Sequence, residues 1–87
     1  MRVAQTNRFR KDLHLAKKRG LPLERLSIVI DKLLCGEPLD AKHKDHLLSG
    51  EYAGCRECHI LPDWLLIYEI GNDVLGLLRT GTHSDLF

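Results

Sequence analysis

Three histidines, His46, His59 and His83, lie among side chains that can move protons or hold charge. Imidazole is the group whose unperturbed pKa lets it both take and give a proton near neutral pH. Two such groups flanking a phosphodiester suffice to cut RNA without a metal. One takes the proton of the ribose 2′-hydroxyl and the other protonates the leaving 5′-oxygen. Charge building on the phosphoryl oxygens needs a cation, and Arg79 suits this because a guanidinium can bond two oxygens at once. Asp63 fits either as a proton acceptor or as the group that orients a histidine. Trp64 and Phe87 offer rings on which bases could stack, although Trp64 opens an apolar run and core packing competes for it. The bland alternative for each histidine alone is a surface or hydrogen-bonded structural residue.

A second string, Cys55-Arg56-Glu57-Cys58-His59, spells the C-x-x-C-H of covalent haem attachment. The segment reads as a strand, where residues three apart point to opposite faces, so Cys55 and Cys58 cannot grip one haem or one ion together. There is no second C-x-x-C to complete a zinc site. No metal and no cofactor is therefore expected. Cys35 and Cys58 read as small buried hydrophobes. Three cysteines are an odd number, so reduced thiols are expected rather than a disulfide framework.

These groups need a scaffold, and the hydropathy pattern supplies one. Met1 to Thr6 fits an edge strand, and Thr6 or Asn7 can cap a following helix. Phe9, Leu13 and Ala16 recur at helical spacing up to Gly20. Pro22 opens a second helix whose apolar face is Leu23, Leu26, Val29, Ile30, Leu33 and Leu34, closed by Gly36 and Pro38. The short link between them implies an antiparallel helical hairpin. Leu39 to Gly50 is polar and reads as a connection with at most a short helical turn. Three strands follow, at about Cys55–Ile60, Trp64–Ile70 and Val74–Thr80, with turns at Pro62-Asp63 and Gly71-Asn72-Asp73. Such short turns make them antiparallel neighbours. The expected fold class is α+β, two N-terminal helices packed on one face of a small twisted antiparallel sheet.

Eighty-seven residues make one domain, spanning 1–87, with no repeat, linker or low-complexity segment. The apolar runs stop at four or five residues, far short of the roughly 20 that span a bilayer. The first residues lack an apolar signal core, so the cytoplasm is expected and no membrane partner is. Net charge is only +1, but it is unevenly spread. Residues 1–25 carry eight bases against two acids, a balance of +6, and residues 26–87 carry five against ten, a balance of −5. The basic half is a candidate polyanion-facing surface, or simply a solvated helix face.

Three motifs in order, Asp45-His46-x-Leu-x-Gly50, Arg56-Glu57-x-His59-Ile-x-Pro62-Asp63-Trp64-x-Leu-Ile-Tyr68 and Arg79-Thr80-Gly81-Thr82-His83-x-x-Leu86-Phe87, resemble the YafQ branch of the RelE superfamily of bacterial toxins. The resemblance covers nearly the whole chain. It implies the RelE-like fold and an mRNA endoribonuclease, a toxin of a type II toxin–antitoxin system that cleaves codons in the decoding site of the 70S ribosome. It also implies a DinJ-like antitoxin that neutralises the toxin and joins it in binding operator DNA. By position, His46, His59, Asp63 and His83 match the family's acid–base residues, Arg79 its phosphate-stabilising arginine, and Trp64 and Phe87 its aromatic positions near the site. Within this frame His83 is expected as the general acid, Asp63 or His59 as the base, and His46 as a phosphate holder. The competing expectation is a non-catalytic module of the same fold that acts only with its antitoxin in operon repression.

Overall fold

The computed structural model describes residues 1–87. Strand β1 (Arg2–Gln5) leads into helices α1 (Asn7–Lys18) and α2 (Leu23–Leu34). After a loop come β2 (His46–Leu47), β3 (Arg56–Leu61), β4 (Trp64–Gly71), β5 (Val74–Gly81) and a last short helix, α3 (His83–Leu86).

Local chemistry explains the boundaries. The Thr6 hydroxyl accepts from the Phe9 amide at 3.0 Å, capping α1, and donates to the Leu78 carbonyl at 2.7 Å, which fastens the helix start to β5. At the other end Gly20 takes φ +73°, and the Gly20 and Leu21 amides reach back to the carbonyls of Lys17 and Ala16. A side chain would resist that left-handed turn, so the glycine stops the helix. Between β4 and β5, Asn72 and Asp73 both have positive φ, as a tight two-residue hairpin turn requires.

The sheet order is β1-β5-β4-β3-β2. All pairings are antiparallel except β1 on β5, which runs parallel with Val3 opposite Leu75. The expected all-antiparallel sheet is thus a mixed one. Tight turns dictate orientation only between consecutive strands, and β1 reaches β5 through both helices and the meander, so no turn constrains it. Two further differences concern Leu39 to Gly50 and the C-terminus. His46 and Leu47 form a two-residue strand opposite Glu57 and Arg56, where a plain connection is expected. The α3 helix is absent from the sequence expectation, yet Thr82 and Asp85 cap it reciprocally, at 3.1 and 2.9 Å.

Residues 64–68 are buried throughout because both faces of β4 are covered. Trp64, Leu66 and Tyr68 face the helices and pack with Phe9, Leu26 and Val29, while Leu65 and Ile67 face the other way, with Cys55 and Leu86. Cys55 and Cys58 accordingly sit in different clusters on opposite faces, as strand alternation requires. Burial pushes the Cys58 thiol up to about 12, consistent with an inert core residue. Cys35, expected to be buried, is exposed, because it caps α2 beyond the last turn that touches the sheet.

Candidate active site

The sheet face turned away from α1 and α2 carries the site. The pairing register aligns His46, Glu57, Ile67 and Arg79 in one row across four strands, and His59, Leu65 and Gly81 in the next. Paired residues share a face, so His46, Glu57, His59 and Arg79 all start from the same side. A bulge in β3 follows His59, where the pairing register shifts before Leu61. Such irregularities re-aim side chains beside functional sites. His83 comes from the first residue of α3, and Asp63 from the β3–β4 turn.

Asp63 holds His83 twice. Its Oδ1 accepts from the His83 backbone amide at 3.0 Å and faces His83 Nδ1 at 2.7 Å. Those contacts, the backbone amide first, lower the Asp63 carboxyl below its ordinary value. It stays ionised, which suits an orienting acceptor. His59 lies edge-on to His83 with ring centres 5.6 Å apart. His59 Nδ1 faces the Pro62 carbonyl at 3.3 Å and His46 Nδ1 faces the Lys44 carbonyl at 2.7 Å. A carbonyl can only accept, so Nδ1 carries the proton in both rings, and Asp63 imposes the same assignment on His83. All three imidazoles are thereby left with Nε2 as the working atom.

Glu57 is a candidate site residue that sequence reasoning left without a role. Its side chain is buried, and its Oε1 stands 3.7 Å from Nε2 of both His46 and His59. A signal for it existed, since a residue two before His59 on a strand must share its face. Glu57, His59 and His83 also offer donor atoms all within 4.8 Å of one another. Two imidazoles and a carboxylate can hold a transition-metal ion. The only metal-ligand set close enough is therefore not the cysteine-based one that C-x-x-C-H suggests.

The structure thus brings His46, His59 and His83 around Glu57, with Asp63 behind His83. Arg79 begins on the same face, but its guanidinium turns to α1, donating through Nε and Nη2 to Asp12 at 2.7 and 3.1 Å. The Asp12 carboxylate raises the Arg79 pKa further above its already basic value. Asp12 also accepts from the Thr80 amide at 3.1 Å, on the edge of β5 beyond the end of β1. Arg79 lines a separate hollow of about 300 Å³ with Arg8 and Tyr52. Phe87 is exposed and packs edge-on against Tyr52, ring centres 6.0 Å apart. Trp64 must be corrected: it is 1% exposed, in the helix-facing core and on the opposite side of the sheet from the histidines, so it is not placed to stack a base.

The α3 helix is itself anchored. Arg19 at the end of α1 donates to both Asp85 oxygens, at 2.7 and 3.3 Å, which together with the Thr82 contacts depresses the Asp85 carboxyl strongly. The carboxylate also packs over Gly81, where a Cβ would come within 2.9 Å of Asp85. On the far side, the Tyr68 hydroxyl and Arg56 Nε both donate to Asp45 Oδ1, at 2.6 and 3.2 Å, fixing the backbone next to His46.

A family model described as "Bacterial toxin of type II toxin-antitoxin system, YafQ" matches residues 1–87. The mRNA interferase toxin YafQ of Escherichia coli is 38% identical over 86 residues, 98% of this chain and 94% of that one. The E. coli DinJ–YafQ complex contains a chain that superposes with a TM-score of 0.92 at 38% identity, covering 100% of this chain and 99% of that one. A metal-bound toxin from Helicobacter pylori superposes at 0.94 with 40% identity over the same shares.

Proposed function

The chain belongs to the YafQ family of bacterial type II toxin–antitoxin toxins, and from that premise we propose that it is an mRNA interferase that cuts messages in the decoding site of the ribosome. One observation carries the chemistry: His59 and His83 lie edge-on with ring centres 5.6 Å apart, each left with Nε2 free of its Nδ1 contact. Neutral His59 takes the proton of the ribose 2′-hydroxyl, and the 2′-oxygen attacks phosphorus. Protonated His83 gives its proton to the departing 5′-oxygen, leaving a 2′,3′-cyclic phosphate and a 5′-hydroxyl. Asp63 acts through His83, fixing its tautomer and direction, because an ionised carboxylate with a depressed pKa is a poor base. That choice favours His59 over Asp63 as base. His46 supports a phosphoryl oxygen. Arg79 contributes its remaining N–H groups from beside Asp12.

The other partners follow from the same reading. A DinJ-like antitoxin neutralises the toxin and brings it to operator DNA. The exposed bases of α1 rest on ribosomal RNA, where phosphate contacts position without reading sequence. No helix is long and apolar enough to cross a membrane, and a nuclease that works on ribosomes would act in the cytoplasm.

The test is purified protein on programmed ribosomes, with and without EDTA, followed by mapping of the mRNA ends. Cleavage in the decoding site that survives EDTA and leaves a cyclic phosphate is the expected result. A folded protein that leaves the message intact, where an active relative cuts it, would instead make the chain a non-catalytic module acting only through its antitoxin.

A further inference from the structure

A cavity of about 280 Å³ opens beside His59, between the start of α2 and the loop that precedes β2. Arg25, Lys42, Lys44 and His43 line it together with His59, and no carboxylate does. Arg25, Lys42 and Lys44 make no ion pair, although Arg25, Lys42 and His43 also line an adjoining hollow with Glu24 and with Asp40, which pairs with Lys32. Three unpaired cations in one hollow repel one another, a cost that an anion would relieve.

The floor of this cavity is built rather than incidental. His43 is 8% exposed and donates Nδ1–H to the His59 carbonyl at 2.7 Å, while its Nε2 has no protein partner. Lys44 holds a left-handed backbone, φ +46°, which a lysine adopts only under constraint from its surroundings. Its carbonyl is the one that orients His46. The cationic wall is therefore joined through backbone contacts to His59 and His46, the proposed base and phosphate support.

We propose that this cavity is a phosphate subsite for the RNA backbone, taking the phosphate on the 5′ side of the ribose whose 2′-hydroxyl is activated. The direction rests on the roles proposed above. His59 as base sits against the attacked ribose, so the chain leaving toward the cavity runs 5′, and His83 marks the 3′ side. Lys42, Lys44 and Arg25 supply charge, and His43 a hydrogen-bonding nitrogen.

The experiment pairs a protein change with a substrate change. Messages carrying one neutral methylphosphonate at that 5′ linkage are loaded on ribosomes, and cleavage by the wild type is compared with that by a Lys42→Gln, Lys44→Gln variant. Each change alone should slow cleavage roughly 10-fold, the weight of one charge-assisted contact, and both together should slow it little further. Effects that multiply would mean that the lysines touch ribosomal RNA and would overturn the subsite. So would an unimpaired lysine variant, or coupling at the 3′ linkage only. A second measurement does not depend on cleavage: binding of a 2′-O-methyl RNA hexamer to the free protein as salt is varied. Loss of both lysines should flatten the log–log slope by about 1.4, since each single-strand phosphate contact contributes about 0.7. An unchanged slope, or no binding, overturns the proposal. A flattened slope with no cleavage by the wild type would keep a phosphate site here and sink the nuclease reading together with the 5′ assignment that rests on it.

Discussion

Replacing Asp12 with alanine tests what Arg79 is for. Asp12 accepts three bonds, two from the Arg79 guanidinium and one from the Thr80 amide, and both side chains of the ion pair are nearly buried, at 11% and 13% exposure. Removing the carboxylate leaves a largely buried cation and a backbone N–H without partners. Breaking a buried pair from one side costs about 3–5 kcal/mol, and the residual exposure puts this case at about 3 kcal/mol. In a domain of this size each kcal/mol moves the melting temperature by about 4–8 °C, so a drop of about 12–24 °C is expected in thermal unfolding. Most of that cost is the stranded charge, so Asp12→Leu combined with Arg79→Met should recover a large part of the loss. The double variant should nevertheless be impaired in cleavage, because the guanidinium is gone. A drop below about 4 °C for Asp12→Ala would show the pair to be solvent-screened like an ordinary surface bridge, and the reading of Arg79 as a braced group would fail. Full activity in the double variant would remove Arg79 from the mechanism.

His83→Ala should lower the cleavage rate on the order of 10²-fold or more while leaving the fold intact. At Asp63, Asn keeps an acceptor for the two His83 N–H groups and Ala does not, so Asp63→Asn should retain clearly more activity than Asp63→Ala; equal loss in single-turnover assays would return the base role to Asp63. The carboxyls of Asp63 and Asp85 are both held below their ordinary value of 3.8, so the stability they lend α3 is complete above that pH and is lost only as pH falls through their lower folded values. Exchange protection of the Leu86 and Phe87 amides should therefore persist from pH 7 down to about pH 4, and its loss between pH 6 and 5 would show that these carboxylates are not what holds the helix. Added Zn²⁺ or Cu²⁺ should inhibit cleavage by occupying Glu57, His59 and His83, with EDTA restoring it; a requirement for the ion would contradict the acid–base mechanism.

The helical hairpin and the three-stranded meander were legible because their signals are local: apolar spacing, Gly20 and Gly36 as stops, Asn72-Asp73 as a turn. The parallel docking of β1 was not, since no short-range chemistry specifies which edge a four-residue strand will find. Strand β2 is two exposed residues, too few to show alternation. The α3 helix had a readable signature in Thr82 and Asp85, masked because four residues are shorter than any periodic window. The histidines and Asp63 were identified through residue type and family resemblance, and the structure gathers them. The role of Trp64 was misassigned for a physical reason: it opens β4 on the face it shares with Leu66 and Tyr68, which packs on the helices. Glu57 was passed over because a lone acid on a strand looks like a solvated one until its neighbours are known.

The parallel contact between β1 and β5 also has a kinetic meaning. The meander that carries His59, Asp63 and Arg79 closes through turns of a few residues and can form quickly. The sheet is completed only when Val3 meets Leu75, and α1 is tied down through Arg79–Asp12 and Arg19–Asp85, sequence separations of 67 and 66 residues. Long loops are slow to close, so these contacts should come late in folding. The same bonds brace Arg79 and seat the helix that presents His83. A chain with its hairpins already paired would thus remain chemically incomplete, and competence for cleavage would arrive with the slowest step of folding rather than the first.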